Sequence, residues 1–143
     1  MKKTISLLLA LCILTFAALP AFAVTNHITV EPLRYTNIAG VLVKCTESGA
    51  DYSCFGKAKI SNASKTTMDL YLQTSYDGGV TYKDTYLLAS KQFTGNDTFG
   101  ISGTKRNLSG GCMYRAALYI SVYDANGKLI DSAEAYSDLD RML

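Results

Sequence analysis

The sequence predicts an all-β fold, a single antiparallel β-sandwich, and three features carry that expectation. Short alternations of apolar and polar residues recur along the chain between turn residues, and no helical period lasts long enough to compete. The longest such run, residues 110–123, puts Cys112, Leu118, Ile120 and Val122 on one face and Arg115, Tyr119, Ser121 and Tyr123 on the other. It ends in Asp124-Ala125-Asn126-Gly127, a strong hairpin signal, so it reads as a central strand, apolar inside and amphipathic outside.

Residues 1–23 read as a cleavable signal peptide. Lys2 and Lys3 form its positive start, residues 5–18 its apolar stretch, and Ala21-Phe22-Ala23 a small-x-small site that places cleavage between Ala23 and Val24. The apolar stretch is too short to span a bilayer comfortably, so no membrane insertion is expected after cleavage and the product is expected outside the cell. Residues 24–33 form a leader with His27 and Pro32, suited to an edge strand or a partly disordered arm. The sandwich domain is assigned to residues 34–143.

Within it, residues 35–46 make the first strand, with Val41, Val43 and Cys45 in phase. Gly49-Ala50 suits a two-residue type II′ turn into residues 52–61, where Cys54, Gly56, Ala58 and Ile60 point inward. Residues 67–75 follow with Met68, Leu70 and Leu72 inward and Asp69, Tyr71 and Gln73 outward. The chain then turns through Tyr76-Asp77-Gly78-Gly79 into residues 80–84, with a further strand at 86–93. Residues 98–108 are expected as a strand broken by Gly100 and Gly103. The run at 110–123 and its antiparallel return at 128–137 complete seven to eight strands, an immunoglobulin-like count and spacing. For the last hairpin, a two-residue Asn126-Gly127 turn directs Ala133 and Ala135 inward, whereas a three-residue loop with a Gly127 bulge directs Ile130, Ser132 and Glu134 inward. The first is favoured because it buries no carboxylate.

Of four cysteines, Cys12 leaves with the signal, so three remain. Cys54–Cys112 would join two sheets across the core, as in immunoglobulin domains, and inward phasing favours it. Cys45–Cys54 is the alternative, since the Gly49-Ala50 turn sets these residues opposite one another. All three could also be reduced, buried thiols. The spacings are not those of a metal site, and the single histidine, His27, lies in the leader.

Charge and motifs narrow the function classes. The fourteen Lys and Arg include Lys2 and Lys3, and the remaining twelve balance twelve Asp and Glu, so the exported chain is close to neutral. With no basic patch, nucleic acid is not an expected partner. Ser75-x-Asp77-x-Gly79-x-Thr81-Tyr82 matches the Asp-box pattern, whose carboxylate caps turn N–H groups while the aromatic packs beneath; one copy reads as a hairpin brace. No catalytic residues and no cofactor are expected. His27 lacks a rigid setting for a triad, and Asp69, Asp131 and Glu134 alternate with apolar residues as solvent-face charges. The suggestive feature is tyrosine. All ten tyrosines follow the signal, which leaves three Phe and no Trp beside them. Tyr71, Gln73, Arg115, Tyr119 and Tyr123 share an outward phase and would form one binding face if their strands are neighbours.

Four features together resemble a family of small secreted proteins of Gram-positive (Firmicutes) gut bacteria whose function is unknown. They are the signal peptide, Arg34-Tyr35-Thr36-x-Ile38, Leu70-Tyr71-Leu72-Gln73-x-Ser75 running into Asp77-Gly78-Gly79, and Gly111-x-x-Tyr114-Arg115. The family pattern usually has Trp where this chain has Tyr82. The resemblance implies a β-sandwich and brings no activity with it. The expectation is thus a secreted, non-enzymatic binding protein whose partner is a protein or glycan at the cell surface. A carbohydrate-binding module and a secreted antibacterial or inhibitor are the alternatives.

Overall fold

Apolar residues at period two build most strands of the computed structural model, which describes residues 36–138. The strands are β1 (Ile38–Ser48), β2 (Asp51–Ile60), β3 (Lys65–Ser75), β4 (Lys83–Thr94), β5 (Thr98–Lys105), β6 (Met113–Tyr123) and β7 (Leu129–Tyr136). The signal peptide, the Ala23/Val24 junction, and the 24–33 leader with His27 and Pro32 lie outside the described residues.

All pairings are antiparallel, in one sheet ordered β1-β2-β5 and another ordered β4-β3-β6-β7. Lettered A to G, these are sheets ABE and DCFG, an immunoglobulin-like sandwich whose fourth strand has left the ABED sheet of the constant type. The cause is local. The connection from β3 to β4 is a short, braced turn, so β4 folds back beside β3 instead of crossing to the other layer.

The core lies where the inward faces meet. Met68, Leu70 and Leu72 of β3 and Leu118, Ile120 and Val122 of β6 are fully buried against Ala58 and Ile60 of β2, Val43 of β1, Ile101 of β5 and Ala133 of β7. The expected phases of β1, β2, β3 and β6 are those observed.

Tyr114, like Tyr52, is a core residue that the sequence pattern leaves unassigned. Its hydroxyl donates to the Ser109 carbonyl at 2.9 Å, and its ring meets Tyr52 at 5.5 Å between centroids. This is the tyrosine corner of immunoglobulin-like folds, at the start of strand F. Burial, and then the Cys112 thiol beside it, push the Tyr114 phenol well above its ordinary pKa, so it stays a neutral donor.

The disulfide corrects the favoured pairing. It joins Cys45 to Cys54, and Cys112 is a free, buried thiol. Cys45 and Cys54 face each other in the β1–β2 ladder, with Cα atoms 4.1 Å apart, because the turn closes on the Ser48↔Asp51 pair. Cys112 precedes β6, and its Sγ donates to the Tyr114 hydroxyl at 3.0 Å. The ring that meets Tyr114 across the core belongs to Tyr52. Cys54 lies two residues further along β2, about 7 Å at the usual strand rise. In a domain with the B–F bridge, the tyrosine of the corner stands two residues before its cysteine; that position here is Ala116. Inward phase sets a residue's face, not its level.

Three boundaries also differ from expectation. Residues 83–94 form one strand, with register shifts at Leu70/Tyr71 and Leu72/Gln73 that absorb its irregular alternation. β5 runs unbroken through both glycines. At Gly103 the reason is a close approach: a Cβ there would stand 2.5 Å from the Leu88 carbonyl oxygen, so glycine lets β4 lie against β5. In the last hairpin Gly127 donates to Asp124 O at 3.1 Å, Asp124 N–H donates to Lys128 O at 3.0 Å, and Gly127 has φ +78. That is the three-residue loop with a glycine bulge. A second shift at Val122/Tyr123 skips Ile130 and restores the inward phase, so Ala133 is buried opposite Ile120 while Glu134 faces out. The same shift turns Asp131 away from the solvent-face phase assigned to it. It sits opposite Val122, and its Oδ2 accepts the Asn37 N–H at 2.9 Å.

Two outcomes are expected. Peptide mapping under non-reducing conditions yields a Cys45–Cys54 linked pair and a Cys112 thiol that alkylates only after unfolding; a Cys54–Cys112 peptide would refute this pairing. Gly103→Ala lowers the urea-unfolding free energy by about 1–3 kcal/mol, because a backbone carbonyl cannot rotate aside as a side chain can.

Candidate binding face on the four-stranded sheet

The outer face of the β4-β3-β6-β7 sheet is built in rows, each row a set of residues directly opposed across the strands. Ser90, Asp69, Tyr119 and Glu134 form one row; Leu87, Tyr71, Ala117 and Tyr136 form the next; Asp84, Gln73 and Arg115 form a third. Because β3 and β6 are neighbours, four of the five outward residues read from the sequence come together: Tyr71, Gln73, Arg115 and Tyr119. Tyr123 does not join them. It lies eight residues along β6 from Arg115, about 27 Å at the usual rise, where Lys65 Nζ sits 4.4 Å from its ring centroid.

A polar chain runs through these rows. Arg115 Nε donates to Gln73 Oε1 at 2.7 Å, and Gln73 Nε2 donates to Asp84 Oδ1 at 2.8 Å and to the Tyr119 hydroxyl at 3.2 Å. Tyr119 donates in turn to Asp84, whose two carboxylate oxygens lie 3.1 Å away. Burial, and then the Asp84 charge, push the Tyr119 phenol up to about 12. Gln73 is 5% exposed, so it is the buried bridge of this face rather than a contact residue.

The Arg115 guanidinium lies 4.0 Å from the Tyr82 centroid and 4.2 Å from that of Tyr136, held between two aromatic rings. Tyr71 and Tyr119 meet edge to face at 5.7 Å. Tyr136 donates to Glu134 Oε2 at 2.9 Å, and burial, then this bond, raises its pKa. Tyr82, Asp84, Glu134 and Tyr136 were missed as site residues. The signals were present: Ala133 and Ala135 inward imply Glu134 and Tyr136 outward, and the Asp box fixes an aromatic at Tyr82.

The Asp box itself forms. Asp77 Oδ1 accepts from Ser75 Oγ at 2.7 Å, Thr81 N at 2.9 Å and Val80 N at 3.1 Å, while Gly79 N–H donates to Ser75 Oγ at 2.8 Å. Thr81 Oγ1 donates to the other carboxylate oxygen. The Thr81 hydroxyl and N–H, then Ser75, hold the Asp77 carboxyl well below the usual carboxylate range. The brace aims Tyr82 at Arg115 and leaves Tyr76 and Val80 each 80% exposed at the hairpin tip.

Elsewhere, a groove between Phe55 of β2, Ala89–Lys91 of β4 and Gly100–Ser102 of β5 opens at the sandwich edge. Among the described residues no helix is long and apolar enough to cross a membrane, and no group of three or more His, Cys, Asp or Glu is placed to hold a metal ion.

No family model matches the sequence, and no curated protein matches it. Among solved structures the chain is similar to Bacteroides uniformis beta-glucuronidase 2 covalently bound to cyclophellitol-6-carboxylate aziridine, at 18% identity and a TM-score of 0.39. The likeness covers 68% of this chain and 12% of that one, and at that level it carries no argument about activity.

The box predicts a pH signature. A carboxyl whose folded pKa is depressed stabilises the fold fully above its unfolded value of 3.8 and loses that contribution as pH falls towards the folded value. Below about pH 4 the stability of the native protein therefore declines more steeply than that of Asp77→Asn, which is already less stable at pH 7. Parallel slopes in urea titrations at pH 7, 4 and 2 would count against the box as a stabilising brace.

Proposed function

We propose that this is a secreted, non-enzymatic binding module of the extracellular space or cell envelope, and that a protein partner docks on the outer face of the β4-β3-β6-β7 sheet. The observation that carries the reading is the pre-organised tyrosine–arginine cluster set beside a row whose two ends, Leu87 and Tyr136, are exposed. Tyr and Arg dominate protein–protein hot spots, and side chains already fixed by hydrogen bonds and stacking lose little entropy on binding. Leu87 is 54% exposed and Tyr136 43%, so the row through Tyr71 ends at each side in accessible apolar surface.

Secretion is supported by the signal-peptide pattern and by the Cys45–Cys54 bond, since disulfides persist in oxidising compartments. The resemblance to small secreted Gram-positive proteins agrees with both. A sugar platform is supported less. It needs open ring faces, and Tyr82 and Tyr136 each turn one to Arg115.

The test places a photo-crosslinking residue at position 87 of the exported protein and applies it to whole cells. One protein band is expected, reduced about tenfold or more by Arg115→Ala while the fold is retained by circular dichroism. Saturable binding to peptidoglycan, teichoic acid or mucin glycans that Tyr119→Ala abolishes would replace this reading with a carbohydrate module. Growth inhibition of neighbouring cells would replace it with an antibacterial.

A further inference from the structure

We infer that the partner surface taken by this face is cationic, a lysine or arginine side chain set among aliphatic residues; this rests on the binding-module reading above. Three carboxylates, Asp69, Asp84 and Glu134, stand in the rows around the Leu87–Tyr71–Ala117–Tyr136 line. Each accepts hydrogen bonds from neutral donors: Ser90 to Asp69, Gln73 and Tyr119 to Asp84, and Tyr136 to Glu134. None is ion-paired among the described residues, where the ion pair present is Arg106–Asp51 on the other sheet. Arg115 does not neutralise them by contact, since its Nε meets the Gln73 amide oxygen. Three negative groups thus face one positive group across the three rows. The tyrosine ring faces add their own negative potential.

That charge pattern sorts the possible occupants. A second copy docking through the same face would bring like carboxylates together. Nucleic acid and anionic lipid would be repelled. A basic side chain is attracted to the carboxylates and stacks on tyrosine, as Arg115 does between Tyr82 and Tyr136. Aliphatic neighbours of that side chain meet Leu87 and the ring of Tyr71, which the register places directly opposite. The exposed ends of the row make the surface apolar as well as acidic, so the combination selects a mixed Lys/Leu type of surface over a purely polar one.

The probe is an immobilised synthetic peptide of alternating Lys and Leu, with an alternating Glu and Leu peptide as counterpart, read by surface plasmon resonance with the exported protein. Capture by the basic peptide alone is expected, weakening about tenfold between 50 and 500 mM NaCl. The double variant Asp69→Asn, Glu134→Gln leaves the Arg115–Gln73–Asp84 chain in place and is expected to weaken capture roughly threefold or more. Glu47→Gln, a charge removed from β1 in the other sheet, is expected to leave it unchanged. Equal capture of both peptides, no capture of the basic one, insensitivity to salt, or equal weakening by Glu47→Gln each overturns the inference. If cross-linking through position 87 persists on cells while the basic peptide fails, the cationic partner is wrong and the binding-module reading stands. If both fail, both readings fall.

Discussion

A glutamine amide buried in a sheet face offers two donors and an acceptor oxygen, and Gln73 meets them with groups of opposite charge. Arginine can only donate and an ionised carboxylate can only accept, so the side-chain amide has one orientation: oxygen towards Arg115, nitrogen towards Asp84. Leaving either end unpaired at 5% exposure would cost about 1–3 kcal/mol. The bridge also depends on register. Arg115 and Asp84 stand directly opposite Gln73 on its two sides, and a slip of one residue in β3 would turn the glutamine into the core. Bridge and register therefore hold each other. The Arg115 guanidinium owes its place between Tyr82 and Tyr136 to the same anchor, and the order of the outer face rests on it.

Two kinds of residue meet on that face, and they come from different devices. Tyr71, Tyr119 and Tyr136 are placed by strand alternation, whereas Tyr82 is placed by a turn. The Asp box fixes the turn through one carboxylate that accepts from Ser75, Val80 and Thr81. A flexible connection there would leave Arg115 with one ring instead of two. The box is thus a structural element that shapes the face without being its contact surface.

How far the sequence could be read follows from this division. Alternation fixed the inward and outward faces of β2, β3 and β6, and it found Tyr71, Gln73, Arg115 and Tyr119 because β3 and β6 happen to be neighbours. It could not tell how far along a strand a residue lies relative to one in another sheet. That is why Cys54 is the favoured partner of Cys112 when Tyr52 is the residue that meets Tyr114. Tyr123 falls away for a simpler reason, since it shares the face of Arg115 but lies eight residues further along the same strand. Bulges were the other blind spot. β4 carries two irregularities, and β7 carries one that cancels the Gly127 bulge, so Ala133 and Ala135 point inward as expected although the turn is the one not favoured. No local pattern announces a bulge whose purpose is to restore phase with a neighbour.

The position of the disulfide has a mechanical consequence. Cys45 and Cys54 belong to adjacent strands of one sheet, so among the described residues no disulfide ties the two sheets together. Under tension applied through the chain ends, the layers are free to shear apart by breaking packing and hydrogen bonds alone. The β1–β2 hairpin nevertheless stays closed beyond its bond, and the residues between the two cysteines remain hidden from the pull. The molecule would lengthen by less than its residue count implies, as a tether with one knot that does not open until a reductant arrives.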